Sequence, residues 1–338
     1  MSKDSQAAPS IGVAPAHHGE IIQGAFHDNA GRLCRALVTL RHPELSSRAT
    51  FYPSRERADI TGPPGMWKVR QAAAATMAAF ATERSPFTGG HVEISSTVPL
   101  GVGMGSSTAD VTATIRAIAN FHGARPSAAK IGQMAVQVES ASDPIMIDDQ
   151  VALFAQREGR VLESLGRSLP RMIVVGCITD PVPGGIDTVA LPAAAYSVDD
   201  VETFQLLRAE IRAAVRDSDV GRLGRVATAS ALISQRFLPK PALGLLLDLC
   251  KRCGGCGVQV AHSGTVAGVI FDPDRPGVVA DIDRCAAYLD RAGLALTGMI
   301  SPDGASVPSS RFNNRNKPSR STQRGQINVS DAPDRVLI

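Results

Sequence analysis

The chain has 338 residues, 44% of them hydrophobic and 20% charged, which is long enough for a large core or two lobes. Its 35 basic and 32 acidic residues leave a formal charge of +3, and the excess lies between Arg311 and Arg335, where five Arg and one Lys stand against two Asp. The body is therefore close to neutral and carries no nucleic-acid footprint, and an aromatic content of 4% argues against base-stacking surfaces.

No apolar run approaches the roughly 18 residues of a membrane span. The opening MSKDSQAAPS lacks the apolar centre of a signal peptide, and six cysteines with no disulfide framework fit a reducing compartment. The expectation is a cytoplasmic protein with a small-molecule substrate and neither a membrane nor a nucleic-acid partner.

In chain order, residues 1–10 read as a flexible leader and 11–16 as a short first strand. Residues 36–41 and 48–53, rich in β-branched and apolar side chains, read as two strands. Residues 67–81 are alanine-rich and helix-like, and 91–98 form a strand that delivers the chain to a glycine turn. Helices follow at 109–121, closed by Gly123, and at 127–140, with Ser127 as N-cap. Residues 151–155 and 160–163 read as a hairpin around Glu158-Gly159, 172–178 as a buried strand, and 181–185 as a Pro/Gly loop. The stretch 199–253 is helical in three pieces, broken near 217–219 and at 239–241. Two strands, 258–261 and 266–271, flank His262-Ser-Gly-Thr265, and a helix over 278–290 and a strand over 295–300 close the body. Beyond 303 the composition turns to Ser, Asn, Arg and Gln and reads as a disordered basic tail. Strands and helices mix without a strict βαβ rhythm, which points to α+β.

The densest chemistry lies in Pro99-Leu-Gly-Val-Gly-Met-Gly-Ser-Ser-Thr108. Glycines at alternate positions permit positive φ and close approach of a ligand, and a helix start directly after them offers free amides and a positive dipole end to an anion. No Lys follows the glycines, so this is not a Walker loop, and the third glycine of a dinucleotide fingerprint is missing. The residues read as a phosphate cradle. Cys250, Cys253 and Cys256 share the spacing of part of an iron–sulfur motif but lack the fourth Cys and the trailing Pro, and read as buried or incidental thiols.

The segment from Pro99 to Ala109 closely resembles the second motif of the GHMP kinases, Pro-x-x-x-Gly-Leu-Gly-Ser-Ser-Ala, and Ala14-Pro-Ala-His-His-Gly-Glu20 resembles their first. Within that superfamily, Gly19-Glu-Ile-Ile-Gln-Gly24 and His262-Ser-Gly-Thr-Val266 look most like the L-threonine kinases. The third motif departs from the family's glycine-rich form, with one glycine and two hydroxyl residues in its place.

The resemblance implies an α+β, two-lobed fold: a ribosomal S5 domain 2-like lobe over 11–190 and a ferredoxin-like lobe over 191–302. It implies an ATP- and Mg2+-dependent kinase acting on the hydroxyl of L-threonine, the alternatives being another hydroxy-amino acid or small alcohol, or a non-catalytic metabolite binder. The nucleotide cradle is then Pro99, Gly101, Val102, Gly103, Met104, Gly105, Ser106, Ser107 and Thr108. Ser107 and Glu139 hold the metal, unless Glu139 is a solvated helix-end charge. Asp143 takes the catalytic carboxylate's position, the alternative being an Asp-Pro turn former. Candidates to touch the acceptor are Glu20, Gln23, Asp187, Thr188, His262 and Ser263. For Glu20 a helix cap and for His262 and Ser263 a turn role are the alternatives. His17 and His18 read as contacts to an acceptor carboxylate or as structural histidines.

Overall fold

The computed structural model describes residues 7–82, 87–180 and 194–304. The loop expected at 181–185, the acceptor candidates Asp187 and Thr188, and nearly all of the basic tail lie outside them.

The first two strands are longer than the sequence suggests. β1 runs over Ser10–His27 and β2 over Leu33–Ser54, where 11–16, 36–41 and 48–53 were expected as separate short strands. They pair antiparallel from Ser10↔Phe51 to His27↔Leu33, with register shifts between Pro15 and His17, His17 and Glu20, and Glu20 and Ile22. Those irregularities explain the difference. Extra residues are absorbed as bulges, so the strands bend instead of ending at the Pro, His and Gly positions that resemble breaks. The bend delivers His17 and Glu20 to the interior, each 1% exposed.

β3 (Ile60–Thr61), α1 (Trp67–Phe80) and β4 (Gly89–Ser96) follow. α2 spans Ser106–Phe121 and begins three residues before the expected start at 109. Its N-cap is Gly105 in the left-handed region, with no side chain capping it, so the helix did not need a Ser or Thr start signal. α3 (Ala128–Glu139) starts as expected, with Ser127 Oγ accepting from the Lys130 N–H at 3.2 Å. The hairpin β5 (Val151–Ala155) and β6 (Arg160–Gly166) leads to β7 (Ile173–Ile178). Helices α4 (Val198–Asp217), α5 (Val220–Ser234) and α6 (Leu243–Arg252) precede β8 (Gly257–Val260) and β9 (Val266–Phe271), then α7 (Val278–Arg291) and β10 (Leu296–Ile300).

The strands form one sheet in the order β10-β7-β9-β8-β1-β2-β4-β3, with the β5–β6 hairpin branching from β2. The pairings are antiparallel except β3 with β4, which confirms α+β. β7 precedes the expected lobe boundary at 190, yet pairs with β9 and β10 of the C-terminal part. Between β8 and β1 the register holds one pair, Glu20↔Val260, so the two halves of the sheet are joined at Glu20.

Four apolar clusters fill the fold. One joins Ile22, Phe26 and Val38 to Phe204, Ile211 and Leu223 of α4 and α5, and another sets Met104, Ala113 and Ile118 against Phe51 and Val92. α2 is buried along most of its length, which fixes its N-terminus rigidly below the glycine loop. Among the described residues, no helix is long and apolar enough to cross a membrane.

Candidate active site

Gly101, Gly103 and Gly105 have φ of 76°, 84° and 73°, a region that side-chain-bearing residues enter at a cost. Two of them are also pinned by close approach. A Cβ on Gly103 would lie 2.5 Å from Gly264 Cα, and one on Gly105 would collide with the His17 ring. The loop is tied down by backbone bonds: Val102 O accepts from the Thr265 and Val266 N–H groups at 2.8 and 3.0 Å, and Met104 O accepts from the His17 N–H at 3.2 Å. The departure in the third motif therefore has a structural meaning. Its single glycine, Gly264, lies backbone to backbone against Gly103 and braces the first loop.

The loop opens onto a cleft of about 430 Å3. Its walls include Gly101, Gly103, Met104, Gly105, Ser106, Ser107 and Thr108, with Lys68, Glu139 and Asp143, and also Glu20, Gln23, His262 and Ser263. Of the expected cradle, Pro99 and Val102 fall outside its lining. Pro99 is exposed, and Val102 spends its carbonyl on the 265–266 amides.

Ser107, on the first turn of α2, donates a short hydrogen bond to Glu139 Oε1 at the end of α3. Lys68 Nζ donates to Ser107 Oγ at 3.2 Å and lies 3.6 Å from Glu139 Oε1. Burial pushes the Glu139 carboxyl up, against the pull of Ser107 and Lys68. Its Oε2 is buried with no hydrogen-bond partner. An orphaned carboxylate oxygen beside a hydroxyl, at a helix N-terminus that attracts phosphates, is an oxygen donor set that fits Mg2+. Glu139 is therefore not a solvated helix-end charge. Lys68 was not legible in the sequence, where it is one of two cations at the start of an alanine-rich helix.

Asp143 Oδ2 is 3.1 Å from His17 Nε2. The Gly19 N–H donates to His17 Nδ1 at 3.1 Å, and Glu20 Oε1 lies 3.7 Å from the same nitrogen. Burial opposes charge on this ring, but Asp143, with Glu20 behind it, outweighs burial and holds its pKa up at about 9. The Gly19 N–H works the other way, because it has an acceptor only while Nδ1 is unprotonated. His17, Glu20 and Asp143 bring ligand atoms within 4.8 Å of one another. The two carboxylates approach opposite ring nitrogens, however, Asp143 within hydrogen-bond reach and Glu20 as a charge 3.7 Å away.

Glu20 Oε2 accepts from the His262 N–H at 2.8 Å and lies 3.3 Å from His262 Nδ1, while Oε1 is buried without a hydrogen-bond partner. Ser230 Oγ connects His262 Nε2, at 3.2 Å, to the Gln23 N–H, at 3.1 Å. Lys240, 3% exposed, faces the field of Glu20. Burial pulls its ammonium down to about 8, with Glu20 opposing. Arg35 and Arg157 add cations to the cleft wall. His18 is structural: Gln259 Nε2 donates to its Nδ1 at 2.7 Å, and its Nε2 donates to Thr297 Oγ1 at 2.8 Å. Cys250 and Cys253 are buried and Cys256 half-buried, and burial raises the thiols of Cys250 and Cys256.

Comparison with known proteins agrees with this geometry. The model of the GHMP kinases N terminal domain matches residues 68–156, and that of the GHMP kinases C terminal matches 211–283. An L-threonine kinase of Citrobacter freundii is 29% identical over 189 residues, 56% of this chain and 64% of that protein. An L-threonine kinase of Salmonella typhimurium is 31% identical over 186 residues, 55% and 61% of the two chains. The chain thus matches under two thirds of the length of these curated relatives. Among solved structures, a homoserine kinase from Cytophaga hutchinsonii superposes with a TM-score of 0.62 at 13% identity, covering 89% of this chain and 98% of its own. A mevalonate pyrophosphate decarboxylase from Streptococcus pyogenes gives 0.60 at 12%, covering 88% and 98%. These likenesses show a shared fold. Both domain models of the GHMP kinases thus match in order along one chain that carries the corresponding glycine loop.

Proposed function

We propose that the protein is an ATP-dependent phosphotransferase that phosphorylates the side-chain hydroxyl of L-threonine, giving O-phospho-L-threonine. The observation that carries this reading is the shared cleft: the glycine loop, the Ser107–Glu139 pair, Asp143 and the Glu20–His262 clasp all line it. Phosphoryl transfer requires charge neutralisation at the phosphates and a positioned acceptor in one water-restricted space.

In this reading the amides at the start of α2 and the Lys68 ammonium hold the phosphates. Ser107 and Glu139 hold Mg2+, which when bound neutralises phosphate charge. Asp143 takes the proton from the acceptor hydroxyl. The oxygen forms its bond to the γ-phosphorus while the bond to the bridging oxygen breaks, and ADP leaves with that electron pair. Glu20, with Oε1 unpartnered, suits an acceptor ammonium, and the L-threonine kinase relatives favour threonine over other hydroxy-amino acids.

The test is an ADP-release screen with threonine, serine, homoserine and simple amino alcohols. Turnover selective for threonine supports the reading. Turnover with another acceptor alone corrects the substrate, and no turnover with any of them removes the kinase reading. Asp143→Asn at full activity would remove Asp143 as the base.

A further inference from the structure

We infer that His17 is the positioning residue of Asp143, a strut that sets the distance between the phosphate cradle and the catalytic carboxylate. The inference rests on the phosphotransferase reading and names a residue that this reading leaves without a role.

His17 touches both halves of the chemistry. Its backbone N–H donates to Met104 O in the glycine loop, and its ring occupies the space that a Cβ on Gly105 would take. Its Nε2 meets Asp143 Oδ2 at 3.1 Å, and its Nδ1 meets the Gly19 N–H at 3.1 Å. The ring is 1% exposed, so no water substitutes for these partners.

The contacts decide what the ring can do. A neutral ring that accepts from Gly19 at Nδ1 carries its proton on Nε2, and a charged ring carries protons on both nitrogens. In either state Nε2–H donates to Asp143. Asp143 could pass a proton to Nε2 only if Nε2 were bare, and a ring with Nε2 bare has no donor for Asp143 at that position. His17 therefore orients Asp143 and does not store the transferred proton. The charged or titratable groups around the ring are Asp143 from the segment after α3, and Glu20 and His18 from β1. His262 and Lys240 reach it only through Glu20. The Met104–Gly105 face supplies none.

Two near-isosteric variants test this. In His17→Gln the longer amide reaches Asp143 and restores an N–H donor that does not titrate. In His17→Asn the amide lies where Nδ1 was, keeps an acceptor for Gly19 and falls short of Asp143. We expect His17→Asn to lower kcat by about 10- to 100-fold, the scale of a misplaced catalytic group, with KM for ATP within about threefold of wild type. His17→Gln should recover most of that loss, again with KM for ATP within about threefold of wild type. Melting temperature and nucleotide affinity, measured on both, show whether either loses its fold. Equal kcat in the Asn and Gln variants, with both folded, overturns the inference. Failure of the kinase reading has a different signature, namely no turnover by the wild type with any acceptor.

Discussion

His18 offers a measurement in which the sign and size of an effect follow from the structure. Its ring is buried between Gln259 on β8 and Thr297 on β10, bonded at 2.7 and 2.8 Å. Burial, with the neighbouring His42 and His17 adding, pulls its pKa to about 3 from an ordinary 6.5. A depressed histidine destabilises the fold in acid. Between pH 6.5 and 3 the unfolded chain binds a proton that the folded chain refuses, so stability falls as pH falls through that window. The slope is about 1.4 kcal/mol per pH unit, and lowering the pH from 7 to 5 costs about 2 kcal/mol from this residue alone. His42, also buried and depressed to about 4, contributes with the same sign, so the wild-type slope mixes both. Denaturant unfolding of wild type and His18→Gln at pH 7 and pH 5 separates them. The variant is less stable at pH 7, but it should lose about 2 kcal/mol less between the two pH values. Equal losses in the two proteins would mean that His18 is not held neutral inside the sheet.

Other outcomes follow from the same contacts. Glu139→Gln removes the carboxylate that pairs with Ser107 and Lys68, and it should lower kcat by about 100-fold and raise the Mg2+ concentration needed for half-maximal activity. A magnesium titration unchanged from wild type would remove Glu139 from the metal site. Gly103→Ala forces a side chain to φ 84° and against Gly264, and it should cost about 1–2 kcal/mol of stability and weaken nucleotide binding, read by calorimetry. The chain's one tryptophan, Trp67, is half exposed beside Lys68, whose ammonium lies 5.9 Å from the ring centroid. Binding of MgATP that engages Lys68 should change Trp67 emission, and Lys68→Met should suppress the change. An emission spectrum indifferent to saturating nucleotide would show that Lys68 stays where it is.

Some of this site was legible because its chemistry is local. A turn with three positive φ angles demands glycine, and a helix start that must bind an anion leaves its amides uncapped, so the 101–108 segment announces itself. Glu139 and Asp143 were placed by the resemblance of the segments around them to those of the GHMP kinases. What was hidden is what depends on pairing at a distance. β1 and β2 read as broken strands because Pro15, Gly19 and Pro43 resemble stops, and only their mutual ladder shows that bulges carry the chain through. Helix α2 starts three residues earlier than expected because Gly105 in the left-handed region begins it through backbone conformation, with no side-chain cap to mark the place.

The same reason explains why the acceptor end was read less clearly than the phosphate end. Glu20 joins the cleft only where the two halves of the sheet meet, at its pairing with Val260, since that junction brings His262 to its carboxylate and Lys240 into its field. Neither His262 nor Lys240 is within two hundred residues of Glu20 in the chain. Their grouping is a property of the strand order, β9-β8-β1-β2, and no window of sequence contains it. On the proposed kinase reading, the phosphate cradle is thus built by one contiguous segment with Glu139 and Lys68 added, while the acceptor pocket is assembled across the junction. Substitutions on β8 or in the 262–265 turn can therefore alter the acceptor without disturbing the cradle, provided that Gly264 keeps its close approach to Gly103.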